Sequence, residues 1–257
     1  MKKDANLRFA GIIPARYASS RFPGKPLVMI GNKTMIQRVY DQANKTLENI
    51  WVATDDKRIF NAVSEFGGRA IMTSTEHLSG TDRCAEAVDK ITFETGEKTD
   101  VIINIQGDEP FIKPEQISQL MNCFMDESVE LATLVRKVEA GEDIFNPNQP
   151  KVIINYKGDA IYFSRAAIPY LRDTEKSDWS KHQSYYKHLG LYAYKTETLK
   201  KITLLPRSFL EISESLEQNR WIENGYRIRT SVTEWESIGI DTPDDLERAK
   251  LLLNHFF

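Results

Sequence analysis

Cysteine is scarce in this chain. Its 257 residues include only Cys84 and Cys123, and no CxxC pairs them. That argues against a disulfide framework and a structural zinc site, and it fits a reducing compartment. Long hydrophobic runs are missing too. No apolar stretch approaches the ~18 residues of a membrane span. The opening "MKKDANLRFAGIIPAR" has two lysines but too short an apolar run for a signal peptide. A cytoplasmic protein with no membrane span is expected. Charge of one sign is also lacking. The formal net charge is -3, so no overall basic field suggests nucleic acid, and any polyanion site must be a local basic cluster. Several catalytic signatures are absent as well: there is no GxSxG elbow, no HExxH and no GxGxxG dinucleotide fingerprint.

What is present is an ordinary globular composition, 41% hydrophobic and 28% charged, long enough for one large domain over residues 1–257. The first 135 residues alternate between strand and helix patterns. "FAGII", "NIWVAT", "RAIMT" and "DVIINIQ" read as buried strands. "KTMIQRVYDQANK", "DKRIFNAVSEFGG", "GTDRCAEAVDKI" and "KPEQISQLMNCF" read as helices. Such alternation predicts an α/β fold, a mostly parallel sheet flanked by helices. In these sheets ligands bind beyond the carboxyl ends of the strands, so the loops starting at Pro14, Thr54, Thr73 and Gln106 should share one face. From about residue 131 the pattern changes. "LATLVRKV", "KVIINYKGDAIYFSR", "HLGLYAYK", "YRIRTSV" and "SIGI" predict strands, with Lys157-Gly158-Asp159 a hairpin turn. An antiparallel addition to the sheet, projecting as an arm, is expected there. "SESLEQNRWIENG" reads as a helix stopped at Gly225. In "DTPDDLERAKLLL", Thr242, Pro243 and Asp245 suit the N-cap, N1 and N3 positions of a closing helix.

Five groups of residues could carry chemistry. The loop "RYASSRFPGKPL" places Arg16, Arg21 and Lys25 within ten residues. It fails the Walker A pattern at both ends: Ser19 stands where the first Gly is needed, and Pro26 follows Lys25. A cradle of cations, serine hydroxyls and backbone N–H groups around an anion remains open, as does a plain solvated loop. In "VIINIQGDEPFI", Asp108 follows a strand ending at Gln106, where one carboxylate suits Mg²⁺; taken alone, the stretch reads more simply as a turn. Ser79, Gly80 and Thr81 lie just before a helix and could read a base edge or merely cap that helix. Asp241 could share a metal with Asp108, or only balance a helix dipole. In the second half, Arg165, His188, Tyr192, Glu217 and Gln218 are polar groups in strand and helix contexts. His188 and Tyr192, four apart on a strand, fall on one face.

The segments "IIPARYASSRFPGKPL", "VATDD", "SGTDR", "NIQGDEP", "FNPNQPKV", "AIYFSRAAIP", "KHLGLYAY", "LEQ" and "GIDTPDDLERAK" occur in that order. Together they resemble the 3-deoxy-manno-octulosonate cytidylyltransferases, or CMP-Kdo synthetases, from about residue 8 to 252. The resemblance implies a Rossmann-like nucleotidyltransferase fold, a homodimer, Mg²⁺ and the reaction CTP + Kdo → CMP-Kdo + diphosphate, serving lipopolysaccharide. It assigns Arg16, Arg21 and Lys25 to the CTP phosphates. Ser79, Gly80, Thr81 and the loop after Ala53 fall near cytosine and ribose, and Gln106 also contacts the nucleotide. Asp108 and Asp241 become Mg²⁺ ligands; with Arg16 and Lys25 they make the catalytic set. Arg165, His188, Tyr192, Glu217 and Gln218 line the sugar site. Residues 1–135 would then be mainly the CTP-binding half, and 136–257 the sugar-binding and dimerisation half. "EWESIGID" replaces the Pro-Gly-Thr-Gly-like stretch many members carry before the last aspartate. "RYASSRFPGKP" and "YKHLGLYAY" are also similar to relatives that activate 8-amino-Kdo. Rival readings are the same chemistry on another sugar acid, a glycosyltransferase (its DxD-type motif is missing) and a non-catalytic nucleotide-binding regulator.

Overall fold

The structure is a computed structural model. It describes residues 7–18, 22–236 and 238–256, with side chains as far as 252. In chain order the elements are β1 (Phe9–Ala15), a 3₁₀ turn (Lys25–Leu27), β2 (Met29–Ile30), β3 (Lys33–Thr34), α1 (Met35–Ala43), β4 (Ile50–Thr54), α2 (Lys57–Glu65), β5 (Ala70–Met72), α3 (Gly80–Thr95), β6 (Val101–Asn104) and α4 (Pro114–Cys123). Then follow β7 (Leu131–Lys137), β8 (Lys151–Ile154), β9 (Ala160–Ser164), α5 (Trp179–His182), β10 (Tyr186–Lys195), α6 (Thr196–Thr203), α7 (Phe209–Glu214), α8 (Glu217–Glu223), β11 (Arg229–Val232) and α9 (Pro243–Phe256). The chain groups into two compact units. One comprises Met1–Ser118, Ala193–Thr203 and Ser237–Phe257, the other Gln119–Tyr192 and Leu204–Glu236.

The first unit holds the expected parallel strands in the order β6-β1-β4-β5. Their residues are almost wholly apolar and buried, as strands covered on both faces must be. Helices α1, α2 and α3 pack against them. The local signals explain where these helices begin. Thr34 accepts the Gln37 N–H at 3.3 Å, and Asp56 accepts the Arg58 N–H at 2.8 Å. Ser79 and Asp82 form a reciprocal capping box at the head of α3. β1 runs two residues beyond the predicted "FAGII" and includes Pro14. A proline inside a strand needs no partner for an N–H it lacks. Here β6 stops at Asn104, opposite Ile12, so no β6 residue faces Pro14.

The second unit is mixed. β11 runs parallel to β7, while β8 is antiparallel to both β9 and β10. β8 and β9 form the hairpin that Lys157-Gly158-Asp159 predicts, with Gly158 at φ 81°. The expected α/β class therefore holds: the parallel pairs lie where β and α alternate, and the antiparallel strands come later.

Several elements differ from the sequence reading, among them the short strands β2 and β3 and the helical turn α5, for which it has no counterpart. "SESLEQNRWIENG" is not one helix, because Ser215 takes a left-handed conformation (φ 51°) that ends α7 before α8 begins. Ser237, the first residue of "SIGI", lies outside the described residues, and Ile238, Gly239 and Ile240 form no strand. Ile240 is instead buried among Ile30, Met35, Phe111 and Ala249, with Ile238 packed alongside, and that packing explains the alternating apolar pattern. Helix α6 carries no clear helix signal in the sequence, because the threonines and the β-branched Ile202 of "TETLKKIT" offset its good helix formers Glu197, Leu199, Lys200 and Lys201.

Candidate active site

At the carboxyl ends of β1 and β6, the first unit has a cleft of about 240 Å³. Arg16, Lys25, Ser79, Gly80, Gln106, Asp108 and Asp241 all line it, together with His77 and Arg83. Seven of the predicted nucleotide and metal residues thus share one cavity. Thr81 is buried in the first turn of α3 rather than lining the cleft. Arg21 lies outside the described residues.

Two close approaches shape this cleft. Gly24 sits at φ 72°, donates its N–H to the Tyr17 carbonyl at 2.9 Å and delivers Lys25 into the cavity. A side chain would strain that backbone and meet the Tyr17 ring at 3.1 Å. Gly107 packs so closely that a Cβ there would lie 3.0 Å from the Pro14 carbonyl oxygen. The turn carrying Asp108 therefore rests directly on the end of β1.

The Lys25 ammonium donates to Asp108 Oδ2 at 2.6 Å and to Asp241 Oδ1 at 3.0 Å. Burial works against this charge, but the two carboxylates more than offset it and hold Lys25 above the ordinary lysine range. The aspartates come together through main-chain contacts. The Ile240 N–H donates to the Asp108 carbonyl at 2.9 Å. Asp245 Oδ2 accepts the N–H groups of Asp241 (3.1 Å) and Thr242 (2.9 Å), and Thr242 Oγ1 accepts the Asp245 N–H at 3.2 Å. This is the capping box expected at the head of α9.

Sequence reasoning missed His77 and Arg83. Arg83 Nη1 donates to Thr73 Oγ1 at 2.5 Å, and Nη2 to Asp55 Oδ2 at 2.7 Å. His77 Nε2 pairs with Glu86. Burial alone would raise the Glu86 pKa, yet hydrogen bonds from Lys90, the Ser74 N–H and His77 pull it down to about 2. Arg83 ends the "SGTDR" segment and Asp55 belongs to "VATDD", so their joint appearance was the available signal.

The predicted sugar residues lie in the second unit. His188 and Tyr192 share a face of β10, as their spacing requires, with ring centroids 5.2 Å apart. Phe163 packs against His188 at 4.9 Å, and Trp221 against Tyr192 at 5.2 Å. Burial pushes the imidazole of His188 down to about 3, so it is neutral near pH 7. Thr133 Oγ1 donates to the Leu191 carbonyl at 2.8 Å and lies 3.0 Å from His188 Nε2. That assigns the ring proton to Nε2 and leaves Nδ1 an acceptor. Arg165 leaves the end of β9. Glu217 and Gln218 open α8, where Glu217 accepts from Arg220 Nη2 at 2.9 Å. Gln218 is buried, and its Nε2 has no hydrogen-bond partner among the described residues. A buried donor without an acceptor is costly unless something arrives to accept from it.

A family model described as cytidylyltransferase matches residues 10–229. At 55% identity over 251 residues, the chain is similar to the 3-deoxy-manno-octulosonate cytidylyltransferase of Parabacteroides distasonis (96% of this chain, 98% of the relative). It is also 55% identical over 247 residues to the protein of that name from Cytophaga hutchinsonii (95% and 97%). Among solved structures, CMP:2-keto-3-deoxy-manno-octonic acid synthetase complexed with CTP superposes with a TM-score of 0.88 at 41% identity, covering 97% of this chain and 100% of that one. The fold and the cleft at its strand ends are those of a nucleotidyltransferase. Within that class, the chain belongs to the 3-deoxy-manno-octulosonate cytidylyltransferase family.

Proposed function

We propose that this chain transfers CMP from CTP to 3-deoxy-manno-octulosonate, releasing diphosphate, in lipopolysaccharide biosynthesis. The observation that carries the reading is the convergence of Lys25, Asp108 and Asp241 in one cleft with Arg16 and the N-terminus of α3. The anomeric hydroxyl of the sugar attacks the α-phosphorus of CTP, and diphosphate leaves. Negative charge grows on the phosphate oxygens, where fixed cations are worth most. Arg16 offers a planar fork and Lys25 a compact charge; both hold and orient the triphosphate. Ser79, Gly80 and Gln106 contribute small polar groups for the nucleoside.

The donor set fits Mg²⁺. Asp108 and Asp241 point oxygens at one common position, now taken by the Lys25 ammonium, and Mg²⁺ prefers one or two carboxylates with phosphate oxygens completing its shell. Bound to them, Mg²⁺ would neutralise charge on the reacting phosphates. For the sugar, Arg165 supplies a guanidinium for the carboxylate, and Gln218, with its unmatched Nε2–H donor, waits for a hydroxyl. His188, Tyr192 and Glu217 complete the polar lining. CTP is a cytosolic metabolite, so the reaction belongs in the cytoplasm. No described helix is long and apolar enough to cross a membrane. The β8–β9 hairpin, with Tyr156 and Ile161 exposed, is the surface we assign to a homodimer.

Diphosphate release with CTP, Mg²⁺ and a panel of sugar acids tests the reading. Release with Kdo is expected. Release with 8-amino-Kdo or a nonulosonate but not with Kdo would replace the substrate. Tight CTP binding with no release on any sugar acid would leave only a nucleotide-binding regulator.

A further inference from the structure

Glu214, the last residue of α7, has no role in the chemistry above, yet it is the hub of the corner from which Arg165, Glu217 and Gln218 emerge. Its carboxylate collects three donors: Tyr162 Oη at 2.9 Å, Ser164 Oγ at 2.6 Å and the Arg165 N–H at 2.9 Å. Its main chain grips the other end of the same arginine. Arg165 Nε donates to the Glu214 carbonyl at 2.7 Å, Nη2 to the Ser215 carbonyl at 3.3 Å and Nη1 to the Pro147 carbonyl at 2.9 Å.

A guanidinium carries five N–H donors. Three are spoken for, which leaves one on each terminal nitrogen. That is the number a carboxylate takes in a two-point pair. An unrestrained arginine loses rotamer entropy on binding; holding it beforehand removes much of that loss from the binding step. The corner extends to α8. Asn219, fully buried, pairs both amide atoms with the main chain of Phe163: Oδ1 accepts its N–H at 3.3 Å, and Nδ2 donates to its carbonyl at 2.9 Å. α8 is thereby fixed to β9, the strand whose end Glu214 secures.

We infer that Glu214 is a positioning residue for sugar-acid recognition, holding the Arg165 guanidinium in the orientation that receives the substrate carboxylate. The inference rests on the reading that Arg165 binds that carboxylate. Glu214 remains charged in this role. Burial disfavours its ionised form, but the bonds from Ser164, the Arg165 N–H and Tyr162 more than offset that and hold it below the usual carboxylate range.

The experiment measures kcat, the KM for Kdo and the KM for CTP with Mg²⁺ in the full-length chain, for Arg165→Ala, Glu214→Gln and the double variant. It also measures the preference of each for Kdo over its carboxamide. Glu214→Gln should raise the Kdo KM about tenfold or more, leave the CTP KM within about twofold and cut the acid-over-amide preference. Added to Arg165→Ala, it should change the Kdo KM by less than about twofold, because the guanidinium it positions is gone. If Glu214→Gln fails to fold, Tyr162→Phe, which removes one donor, should move the same quantities by a smaller factor. Parallel rises in both KM values, unchanged acid preference or additive effects in the double variant would show a merely structural role and overturn the inference. If Arg165→Ala itself leaves the Kdo KM unchanged, the assignment of Arg165 is wrong, and the role of Glu214 falls with it.

Discussion

Lys25 shows what single residues settle here. Its ammonium lies within hydrogen-bonding distance of two carboxylates that stand 83 and 216 positions further along the chain. Asp108→Asn preserves shape and removes one charge from that cluster. Turnover should fall about 10²–10³-fold, the scale for losing one electrostatic contact to a developing charge, with the circular dichroism spectrum unchanged. Near-normal Mg²⁺-dependent rates would remove Asp108 from the site. His188 makes a different prediction, about pH. Its folded-state value, about 3, lies below the ~6.5 of an unfolded histidine. Between those two values the unfolded chain takes up a proton that the folded chain refuses, so stability falls as pH drops through that window; above it this group has no effect. Thermal melts between about pH 4 and 7 should show a shallower acid loss for His188→Asn than for the unsubstituted protein. Residue chemistry was the most legible layer of the sequence. A cation cluster, a carboxylate after a strand and a small-residue helix head are recognisable by type. Glu214 was not, because Tyr162, Ser164 and Arg165 meet it only in the fold, and Arg83 left no more than the joint appearance of "VATDD" and "SGTDR".

Elements were legible where local signals agreed. The start of α3 follows from Ser79 and Asp82, and the start of α9 from Thr242 and Asp245. They were illegible where tertiary packing overrode pattern, as in the segment before Asp241 and the break at Ser215. β10 adds a feature with no local signature. Lys187, nearly enclosed, pairs with Glu142 and, at 2.8 Å, with Glu236, while Arg136 on β7 pairs with Glu139 and Glu142. Burial raises the pKa of Glu142, but Lys187, the Glu139 N–H and Arg136 outweigh it and keep that carboxyl below its usual range. Lys187→Met should destabilise the protein by about 3 kcal/mol, the low end for breaking a buried ion pair, because Glu236 is partly exposed. Urea denaturation would check it, and a loss below about 0.5 kcal/mol would mean the cluster behaves like a surface salt bridge.

At the scale of the molecule, the two units are interleaved along the chain. The backbone passes from one to the other between residues 118 and 119, 192 and 193, 203 and 204, and 236 and 237. No sequence pattern marks these crossings, since each unit's core is assembled from segments far apart. The cluster of Ile30, Met35 and Phe111 is completed by Ile240 and Ala249. A fragment of residues 1–135 therefore lacks part of its own core as well as Asp241. It should show no cooperative thermal transition and no measurable CTP binding by calorimetry, whereas the full chain should show both. A folded, CTP-binding fragment would contradict the shared core.

The contact between the Ile240 N–H and the Asp108 carbonyl has a consequence in time. A chain emerges from the ribosome N-terminal end first, at about 5–20 residues per second. The strands and loops that carry Lys25 and Asp108 are available early, but Asp241 and the helix that fixes it are made well after both. Until then the growing polypeptide can form the parallel strands at whose ends the cleft lies without the second carboxylate that meets Lys25. The Lys25–Asp108–Asp241 cluster closes only once Asp241 has been made, so on the proposed reading a product terminated before that residue would be unable to carry out the transfer.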